Sequence, residues 1–535
     1  MSITQSAWVA AVQKRWFRRA ESTVVAVIFV TGLWFLFGQL AIARFRVVPG
    51  DLGDGRWNAI LLEHGFRFLR GDAWHRALWS PNWSFYPHEN VLAYSDNLLG
   101  TLPLYAIFRA LHCNEMAAYD AWAVAMAIGN FLAMYAFLRA VDQSRIGAAL
   151  GGFVFAFSMP RGEQLNHLQL FPHCFTPLCF YFLTRLRTLR PSAVWGAVAC
   201  AVLQLYAGIY LGWFLGLALG ICATVTLVMA LASRQFRNGI LFGLRRLWVH
   251  SVVAMVAGAV SLLPLVIHYA RAQAEVGPRS FSEMVGMLPR PLSYFLPADY
   301  TWLYRTSLLK IKPTLPVSHE QVMFTGFLVL LCAVAELLVH ARRQRPIAEH
   351  WWQYSLLSVW IITVIATLWI DGSLWQYLYR ILPGAGGIRA VARIALLQLL
   401  PLGAASAWAA TWVQKRLGLA VVTVLAALVV LENSGTANYH FTVSEHSSRV
   451  HRIETELLAE NCRTFLLVGA EDPYKIHMDA LWASLETQTP TLNGFSGNIP
   501  PEWPFETPRT ARLLRMRSWL GRHNANTEGL CLLRH

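Results

Sequence analysis

The stretch Ser22–Ala43 reads STVVAVIFVTGLWFLFGQLAIA and follows a cluster of basic residues, Lys14, Arg15, Arg18 and Arg19. As a helix it is long enough to cross roughly 30 Å of hydrocarbon. It is too long for the apolar part of a signal peptide, and no small-residue cleavage site follows it. We therefore expect this segment to remain in the membrane, with its basic end in the cytoplasm.

The composition of the whole chain agrees with a membrane protein. Of 535 residues, 56% are hydrophobic and 14% charged, and 22 are Trp, whereas a soluble chain has about 25% charged residues. This excludes a soluble enzyme, a disordered chain, collagen and a coiled coil. The net charge of +15 is spread over short loops and forms no single patch, so we expect no nucleic acid partner. The eight Cys contain no C-x-x-C pair, which gives no support to a zinc or redox site.

Apolar runs along the chain predict a polytopic α-helical membrane protein with about eleven spans. They lie near residues 22–43, 117–140, 146–160, 167–184, 192–211, 212–232, 249–269, 321–340, 353–371, 393–413 and 417–433. With the N-terminus in the cytoplasm, every cytoplasmic loop is basic, as the positive-inside rule requires. These loops carry Arg139, Arg145, Arg185, Arg187, Arg190, Arg234, Arg237, Arg245, Arg246, Arg342, Arg343, Arg345, Lys415 and Arg416.

The same topology divides the chain into two parts. Residues 1–433 form the membrane module, whose first outer loop is 44–97. Residues 98–112 are apolar but short and contain Pro103, so we interpret them as an in-plane or re-entrant segment. Residues 434–535 have a near-normal soluble composition and predict a small extracytoplasmic α/β domain. Its strands are expected at 464–468 and 530–533, and its helices near 446–460, 477–486 and 506–522.

Two carboxylates follow the first span directly, in the sequence Pro49-Gly50-Asp51-Leu52-Gly53-Asp54-Gly55-Arg56. The glycines permit backbone angles that would let Asp51 and Asp54 converge, as a general base or as oxygen ligands of a divalent cation. The alternative is a solvated turn in which Asp54 caps the next helix. Later in this loop, His88 and Glu89 lie in an aromatic, Pro-rich stretch typical of a membrane interface. Asp96 adjoins an apolar segment, as a functional carboxylate or a helix cap.

Two further groups of polar residues adjoin outer ends of spans. The turn Pro160–His167 contains Arg161 and Glu163, which could neutralise each other, and His167, which could donate to a phosphate or exchange protons; a packing role is the alternative for this histidine. Arg389 and Arg393 are four residues apart and would share one face of a helix. Two guanidinium groups there suit a phosphate or diphosphate, although long basic side chains also reach lipid headgroups.

Several short motifs together resemble a known superfamily. They are Phe85-Tyr86-Pro87 with Tyr94–Gly100, Phe155–Ser158 with His167-Leu168-Gln169, Leu382-Pro383-Gly384 with Arg389 and Arg393, and Asn493–Gly497 with Pro500-Pro501. With an acidic motif after the first span and a soluble tail, they resemble the GT-C superfamily of integral-membrane glycosyltransferases. The likeness covers most of the chain and is greatest to a bacterial branch related to proteins that glycosylate teichoic acids.

The resemblance implies a function in the cell envelope. A sugar would pass from a polyprenyl-phosphate donor to an envelope glycan or lipid acceptor, at the outer face of the cytoplasmic membrane and by an inverting displacement. Asp54, or else Asp51, would be the catalytic base and Asp96 a second acidic group. The lipid phosphate would be bound by His167, Arg389 and Arg393, with Arg161 as a further candidate. A divalent cation is possible, but the first loop lacks a D-x-D motif.

Two other classes of function fit a polytopic chain. A lipid or solute transporter would use the same Arg and Asp residues to gate a path, and charged or broken helices would then lie near the bilayer centre. A non-catalytic envelope-assembly scaffold would need no cavity lined by these residues. Convergence of Asp51, Asp54, Asp96, His167 and Arg389 distinguishes the enzyme from the scaffold.

Overall fold

The computed structural model describes residues 3–342, 347–506 and 513–534. Within these ranges, twenty α-helices and four short strands follow in chain order. The helices of the membrane module are α1 (Ile3–Ile42), α2 (Asp54–Leu69), α3 (Leu102–Ala110), α4 (Glu115–Ala140), α5 (Arg145–Phe157), α6 (Met159–Gly162), α7 (Phe175–Arg185), α8 (Pro191–Ala207), α9 (Ile209–Ala232), α10 (Arg234–Val276), α11 (Phe281–Val285), α12 (Arg305–Ile311), α13 (Phe327–Arg342), α14 (Ile347–Thr367), α15 (Trp375–Ile381), α16 (Ala395–Leu417) and α17 (Leu419–Glu432). The tail adds α18 (Val443–Glu460), α19 (Pro473–Thr487) and α20 (Leu513–Arg522), and the strands are β1 (Val47–Pro49), β2 (His440–Thr442), β3 (Thr464–Val468) and β4 (Leu530–Arg534).

The helical module contains segments suited to a bilayer. Among the described residues, five helical stretches are long and apolar enough to cross a membrane: Arg18–Ile42, Glu115–Ala140, Ile209–Ala232, Arg234–Val276 and Val391–Leu417. Pro191–Ala207 and Leu419–Glu432 are apolar but shorter. The chain is therefore a helical protein with several potential spans, and the count of eleven stays a prediction.

In two segments, 167–184 and 98–112, the helix is shorter than the apolar run in the sequence. The run 167–184 is helical only from Phe175 onward, because Pro172 and the polar side chains before it favour 3₁₀ turns at Glu163–Asn166 and Leu168–Leu170. In the segment 98–112, α3 has nine residues, which is about 14 Å of helix and too short to cross the hydrocarbon.

The contact between α5 and α16 brings two backbones unusually close. A Cβ atom on Gly151 would lie 2.5 Å from the carbonyl oxygen of Gly403, and one on Gly403 would lie 2.7 Å from that of Gly151. Small residues permit such close approach between membrane helices. Because α5 leads into the turn before His167 and α16 follows Arg393, this contact sets the distance between two parts of the predicted site.

Several basic residues lie at one end of the helix bundle. Gln414 on α16 donates to Glu21 on α1 at 2.6 Å, and the Ser144 N–H donates to Thr411 Oγ1 at 2.9 Å. These contacts place three pairs of basic residues at the same end, namely Arg18 with Arg19, Arg139 with Arg145, and Lys415 with Arg416. Arg343 and Arg345, predicted for the same side, lie outside the described residues.

The opposite end of the bundle carries the tail, which packs on the first outer loop. β1 and β2 pair antiparallel, with Val48 opposite Phe441. The Phe85 N–H donates to the Asn493 carbonyl at 2.8 Å. Arg56 on α2 and Asp479 on α19 form an ion pair of 2.6 Å, and both side chains are fully buried. Residues 44–97 and the tail therefore share one core.

Within the tail, two strands lie at or near the positions that the sequence patterns indicate. β3 and β4 are parallel neighbours, and Phe465 is opposite Cys531. Cys462 and Cys531 form a disulfide bond. The helices α18 and α19 start three and four residues before the predicted stretches, and of the predicted helix 506–522 residues 507–512 lie outside the described residues.

The buried ion pair predicts a large effect of one substitution. Asp479→Asn should lower the free energy of unfolding by about 3–5 kcal/mol, because it leaves the Arg56 guanidinium buried without its counter-ion. Thermal unfolding of the purified full chain in detergent would measure the change. The matched control is Glu502→Gln, since Glu502 pairs with Arg522 at the surface and exposed pairs contribute at most about 1 kcal/mol. Equal melting temperatures for the two variants would contradict the prediction.

Candidate functional site

The two carboxylates of the first outer loop have different partners. Asp51 Oδ1 accepts hydrogen bonds from the backbone N–H groups of Gly53 and Gly55, at 3.0 and 3.2 Å. Asp54 is the first residue of α2, and Gly53 occupies the cap position without a side-chain bond. Asp51 therefore shapes the turn, and the carboxylate of Asp54 is left to face the protein interior.

Asp54 faces the turn that follows α6. Its Oδ2 atom lies 3.2 Å from His167 Nε2, and the two side chains are 29% and 20% exposed. Asn58, one turn along α2, donates to Gln169 Oε1 at 2.8 Å and to the Asp54 carbonyl at 2.8 Å. One hydrogen bond, from Asn58 to Gln169, and the contact between Asp54 and His167 thus hold the start of α2 against residues 167–169. Asp54 keeps partial access to solvent.

Glu320, which the sequence patterns did not single out, completes the cluster together with Arg393. Arg393 donates to Glu320 through Nε at 2.8 Å and through Nη2 at 2.6 Å. The pair is nearly buried, and Glu320 Oε1 is 3.9 Å from His167 Nε2. Burial alone would raise the pKa of Glu320, but the Arg393 guanidinium lowers it to about 2. Asp54, His167, Glu320 and Arg393 therefore form one continuous polar cluster.

The protonation states within this cluster are unusual. Burial and, to a smaller extent, the Asp51 charge raise the pKa of Asp54, Arg393 opposes both, and the resulting pKa is about 7. Burial and the Arg393 charge lower the pKa of His167 to about 3. At neutral pH the imidazole is thus uncharged, and Asp54 titrates close to the working pH, as a general acid or base must.

Arg389 acts electrostatically on the same groups as Arg393, but the two residues do not lie on one helix. The prediction that they share a helical face is therefore wrong. Helical structure begins only with the 3₁₀ turn Val391–Ile394. The Tyr210 hydroxyl instead accepts from the backbone N–H groups of Arg389 and Ala390, at 2.9 and 3.2 Å, and its ring lies 5.4 Å from the Arg393 guanidinium carbon. Tyr210 therefore sets the position of this segment.

The Arg389 side chain differs from that of Arg393 in its exposure and in its partners. It is exposed, and within the part of the chain that the structure describes it makes no hydrogen bond or ion pair. Its charge nevertheless acts on both Asp54 and His167. Arg389 is thus the guanidinium available to a ligand, whereas the fork of Arg393 is occupied by Glu320.

Asp96 acts as a helix cap. Its Oδ1 atom accepts from the backbone N–H groups of Ile209 and Tyr210 at the start of α9, at 2.5 and 3.4 Å. Burial raises its pKa to about 6, and these two hydrogen bonds oppose that shift. A carboxylate at a helix N-terminus satisfies unpaired N–H groups and interacts favourably with the helix dipole. Asp96 therefore acts on the site indirectly, by positioning Tyr210.

Arg161 and Glu163 do not neutralise each other. Arg161 is fully buried and donates to the Leu170 carbonyl at 2.7 Å and to His173 Nδ1 at 2.9 Å, while Phe155 and Phe171 cover its guanidinium. The prediction that Arg161 contacts a lipid phosphate is therefore wrong for this conformation, because its donors point into the core.

Glu163, His88 and Glu89 have structural partners away from Asp54. Glu163 accepts from the Tyr439 hydroxyl at 2.8 Å. His88 lies 2.7 Å from Glu275, and Glu89 pairs with Arg271 at 2.9 Å. The last two contacts join the first outer loop to the C-terminal end of α10.

A divalent cation would need several oxygen or nitrogen ligands around one point. Among the described residues, the one group of three potential ligands within 4.8 Å is Glu460, Cys462 and Cys531, and its cysteines form the disulfide bond. Near Asp54, the carboxylate of Glu320 is instead bound by the Arg393 guanidinium. The residues at this site therefore do not fit a metal centre.

Glu320 and Tyr210 are the residues that sequence reasoning missed. Glu320 stands directly before the predicted span 321–340, and a carboxylate against an apolar run is expensive unless paired. That criterion singled out Asp96 and applies equally to Glu320. Tyr210 carried no such signal, because a Tyr near the end of an apolar run is typical of the membrane interface.

Comparison with known proteins assigns no family. No protein-family model matches the chain, and no curated protein matches it. Among solved structures, it is similar to the crystal structure of ArnT from Cupriavidus metallidurans in the apo state, at 13% sequence identity and a TM-score of 0.31. The alignment covers 91% of this chain and 89% of that one. This TM-score is below the value at which two chains share a fold.

The Glu320–Arg393 pair predicts a non-additive pair of substitutions. Arg393→Gln and Glu320→Gln should each destabilise the protein by about 3–5 kcal/mol, because each leaves one buried charge without its partner. The double variant should lose much less than the sum of the two. Thermal unfolding of the four proteins in one detergent would measure the coupling, and additive losses would show that the pair is not formed.

Proposed function

We propose that the chain transfers a sugar from a polyprenyl-phosphate donor to an envelope acceptor at the outer face of the cytoplasmic membrane. The observation that carries this proposal is the position of Asp54. This partly exposed carboxyl lies 3.2 Å from His167 and within the field of two guanidinium groups. The proposal also rests on the resemblance of the motifs to GT-C glycosyltransferases, including the teichoic-acid branch.

Asp54 has the properties of a general base. A base must reach the acceptor hydroxyl, and the side chain of Asp54 is 29% exposed. It must also bind a proton near neutral pH, and burial gives Asp54 a pKa of about 7. A neutral His167 with its proton on Nε2 donates to the carboxylate and orients the oxygen that accepts the proton.

Arg389 is the proposed ligand of the donor phosphate. Transfer converts a phosphodiester into a phosphomonoester, so negative charge grows on the leaving group. A guanidinium group held where that charge develops stabilises the transition state. Arg389 has no competing side-chain partner among the described residues, whereas Arg393 is held by Glu320. Arg393 therefore serves as a positioning residue and supplies background positive charge.

The reaction is a single inverting displacement. The acceptor oxygen attacks the anomeric carbon as the bond between that carbon and the phosphate oxygen breaks. The bonding pair leaves with the polyprenyl phosphate, and the acceptor proton passes to Asp54. One base suffices because no covalent sugar intermediate forms.

The two ends of the bundle support an outer location for the site. Basic residues gather at the end where Gln414 contacts Glu21, and cytoplasmic loops carry an excess of Lys and Arg. Asp54 adjoins the opposite end, where the tail packs. A disulfide in that tail suits an oxidising compartment.

Substitution of the base tests the proposed activity. The full chain, purified in detergent, would be incubated with a panel of polyprenyl-phosphate sugars and a membrane extract as the source of acceptor, and released polyprenyl phosphate would be measured. Asp54→Asn should reduce release by about 100-fold to 10,000-fold. Asp51→Asn is the matched control and should reduce it less than about tenfold. Among the described residues the Asp51 side chain bonds only backbone groups, and it acts on Asp54 through its charge.

The outcomes distinguish the three classes of function. Equal release by Asp54→Asn and the wild type would exclude Asp54 as the base. Lipid or solute flux without sugar consumption would indicate a transporter. Absence of both activities with every donor, in a folded protein, would favour the scaffold.

The pKa of Asp54 predicts the pH dependence of transfer. Below pH 7 the carboxyl is protonated and cannot accept a proton, so the rate should rise with pH and reach half its maximum near pH 7. The charge of Asp51 contributes to the raised pKa. Asp51→Asn should therefore move the midpoint to lower pH, and a midpoint that stays the same or rises would contradict this account.

A further inference from the structure

A cavity separate from the Asp54 cluster lies over residues 299–318. Its volume is about 940 Å³, and its walls include Asp299, Trp302, Arg305, Leu309 and Lys312. Cationic, aromatic and aliphatic side chains thus line the same space. The Arg305 side chain is exposed and makes no hydrogen bond or ion pair within the described ranges, while Lys312 pairs with Asp299.

The segment that forms this cavity is attached to helix ends of the bundle. The Tyr304 hydroxyl donates to Glu432 Oε1 at 2.7 Å, at the last residue of α17. The same carboxylate accepts from the backbone N–H groups of Phe327 and Leu328 at the start of α13, at 3.0 and 2.9 Å. The cavity therefore lies at the level where α13 begins and α17 ends.

The helix faces next to this cavity are apolar and uncovered. Leu331 on α13 is 62% exposed and Leu431 on α17 is 53% exposed. Trp302 and Leu309 in the cavity wall are 65% and 69% exposed. Such faces on apolar helices of a multi-span protein contact lipid chains, and Trp is enriched where chains meet headgroups.

The charges near the rim match an anion. Arg305 lines the cavity, and Lys310 lies on the same short helix, α12. Both side chains are exposed and have no acidic partner among the described residues. A guanidinium group binds phosphate through two parallel N–H donors. Long basic side chains at this level also extend from the apolar zone toward headgroups. An anionic lipid satisfies both features, since its phosphate meets the basic residues and its chains meet the apolar ones.

We propose that this cavity binds the phosphate headgroup of an anionic membrane lipid. Arg305 is its main ligand, Lys310 on the same helix adds positive charge nearby, and Trp302 and Leu309 contact the upper part of the acyl chains. The proposal does not depend on the sugar-transfer activity, because no residue of the Asp54 cluster lines the cavity.

Native mass spectrometry of the purified full chain tests the site. The protein, in a non-ionic detergent, would be titrated separately with dioleoyl phosphatidylglycerol, dioleoyl phosphatidylcholine and inorganic phosphate. The wild type should bind phosphatidylglycerol in preference to both other probes. The double variant Arg305→Gln with Lys310→Gln should bind it at least about tenfold more weakly, since each basic residue near a membrane surface contributes about 1 kcal/mol.

The matched control removes two exposed charges elsewhere. Arg515→Gln with Arg517→Gln on α20 gives the same change in net charge and should leave phosphatidylglycerol binding within about twofold of the wild type. Trp302→Ala should weaken binding of phosphatidylglycerol without improving binding of inorganic phosphate. Melting temperatures equal to that of the wild type would show that the variants are folded.

Three results would overturn the proposal. The first is equal binding of phosphatidylglycerol by the wild type and the α12 variant. The second is equal weakening by the α12 and α20 variants, which would indicate a general charge effect. The third is binding of inorganic phosphate as tightly as phosphatidylglycerol, which would identify a site for free anions.

Discussion

The bidentate ion pair between Arg393 and Glu320 is the contact on which the candidate site depends. It is nearly buried, so neither charge is stable without the other. Burial and the Arg393 charge lower the pKa of His167, whereas the Glu320 charge raises it. Arg393 also opposes the rise that burial causes in the pKa of Asp54, and Glu320 adds to that rise. The pair also occupies the guanidinium group of Arg393, which leaves Arg389 as the group that we propose binds the phosphate. One ion pair thus contributes to the protonation states at the site and to the proposed point of anion binding.

The helices and the tail hold the four parts of this site together. Gly151 and Gly403 bring α5 against α16, and so bring the turn before His167 toward Arg393. Asp96 caps α9 and thereby places Tyr210, which in turn binds the backbone at Arg389. The tail packs on the first outer loop and fixes the start of α2. Most residues singled out in the sequence therefore position the site, and few of them face a ligand.

Sequence patterns predicted the helical class, the short segment at 98–112 and the strands of the tail, because length, hydropathy and alternation are local properties. The partners of charged residues were less predictable. Arg161 was expected to bind a phosphate but is buried. Its partners Leu170 and His173 lie in a turn region whose apolar sequence had predicted a membrane span. Glu320 was not singled out because its role at the site depends on its pairing with Arg393, 73 residues later. Long-range pairing of this kind leaves no periodic signal in a single sequence.

The most direct test is a cryo-electron microscopy map of the full chain with bound polyprenyl phosphate. The account predicts phosphate density within hydrogen-bond distance of the Arg389 guanidinium, on the side that faces Asp54, with the Glu320–Arg393 pair intact. Phosphate bound away from Arg389, or a map in which Asp54 and Arg393 line different cavities, would contradict it.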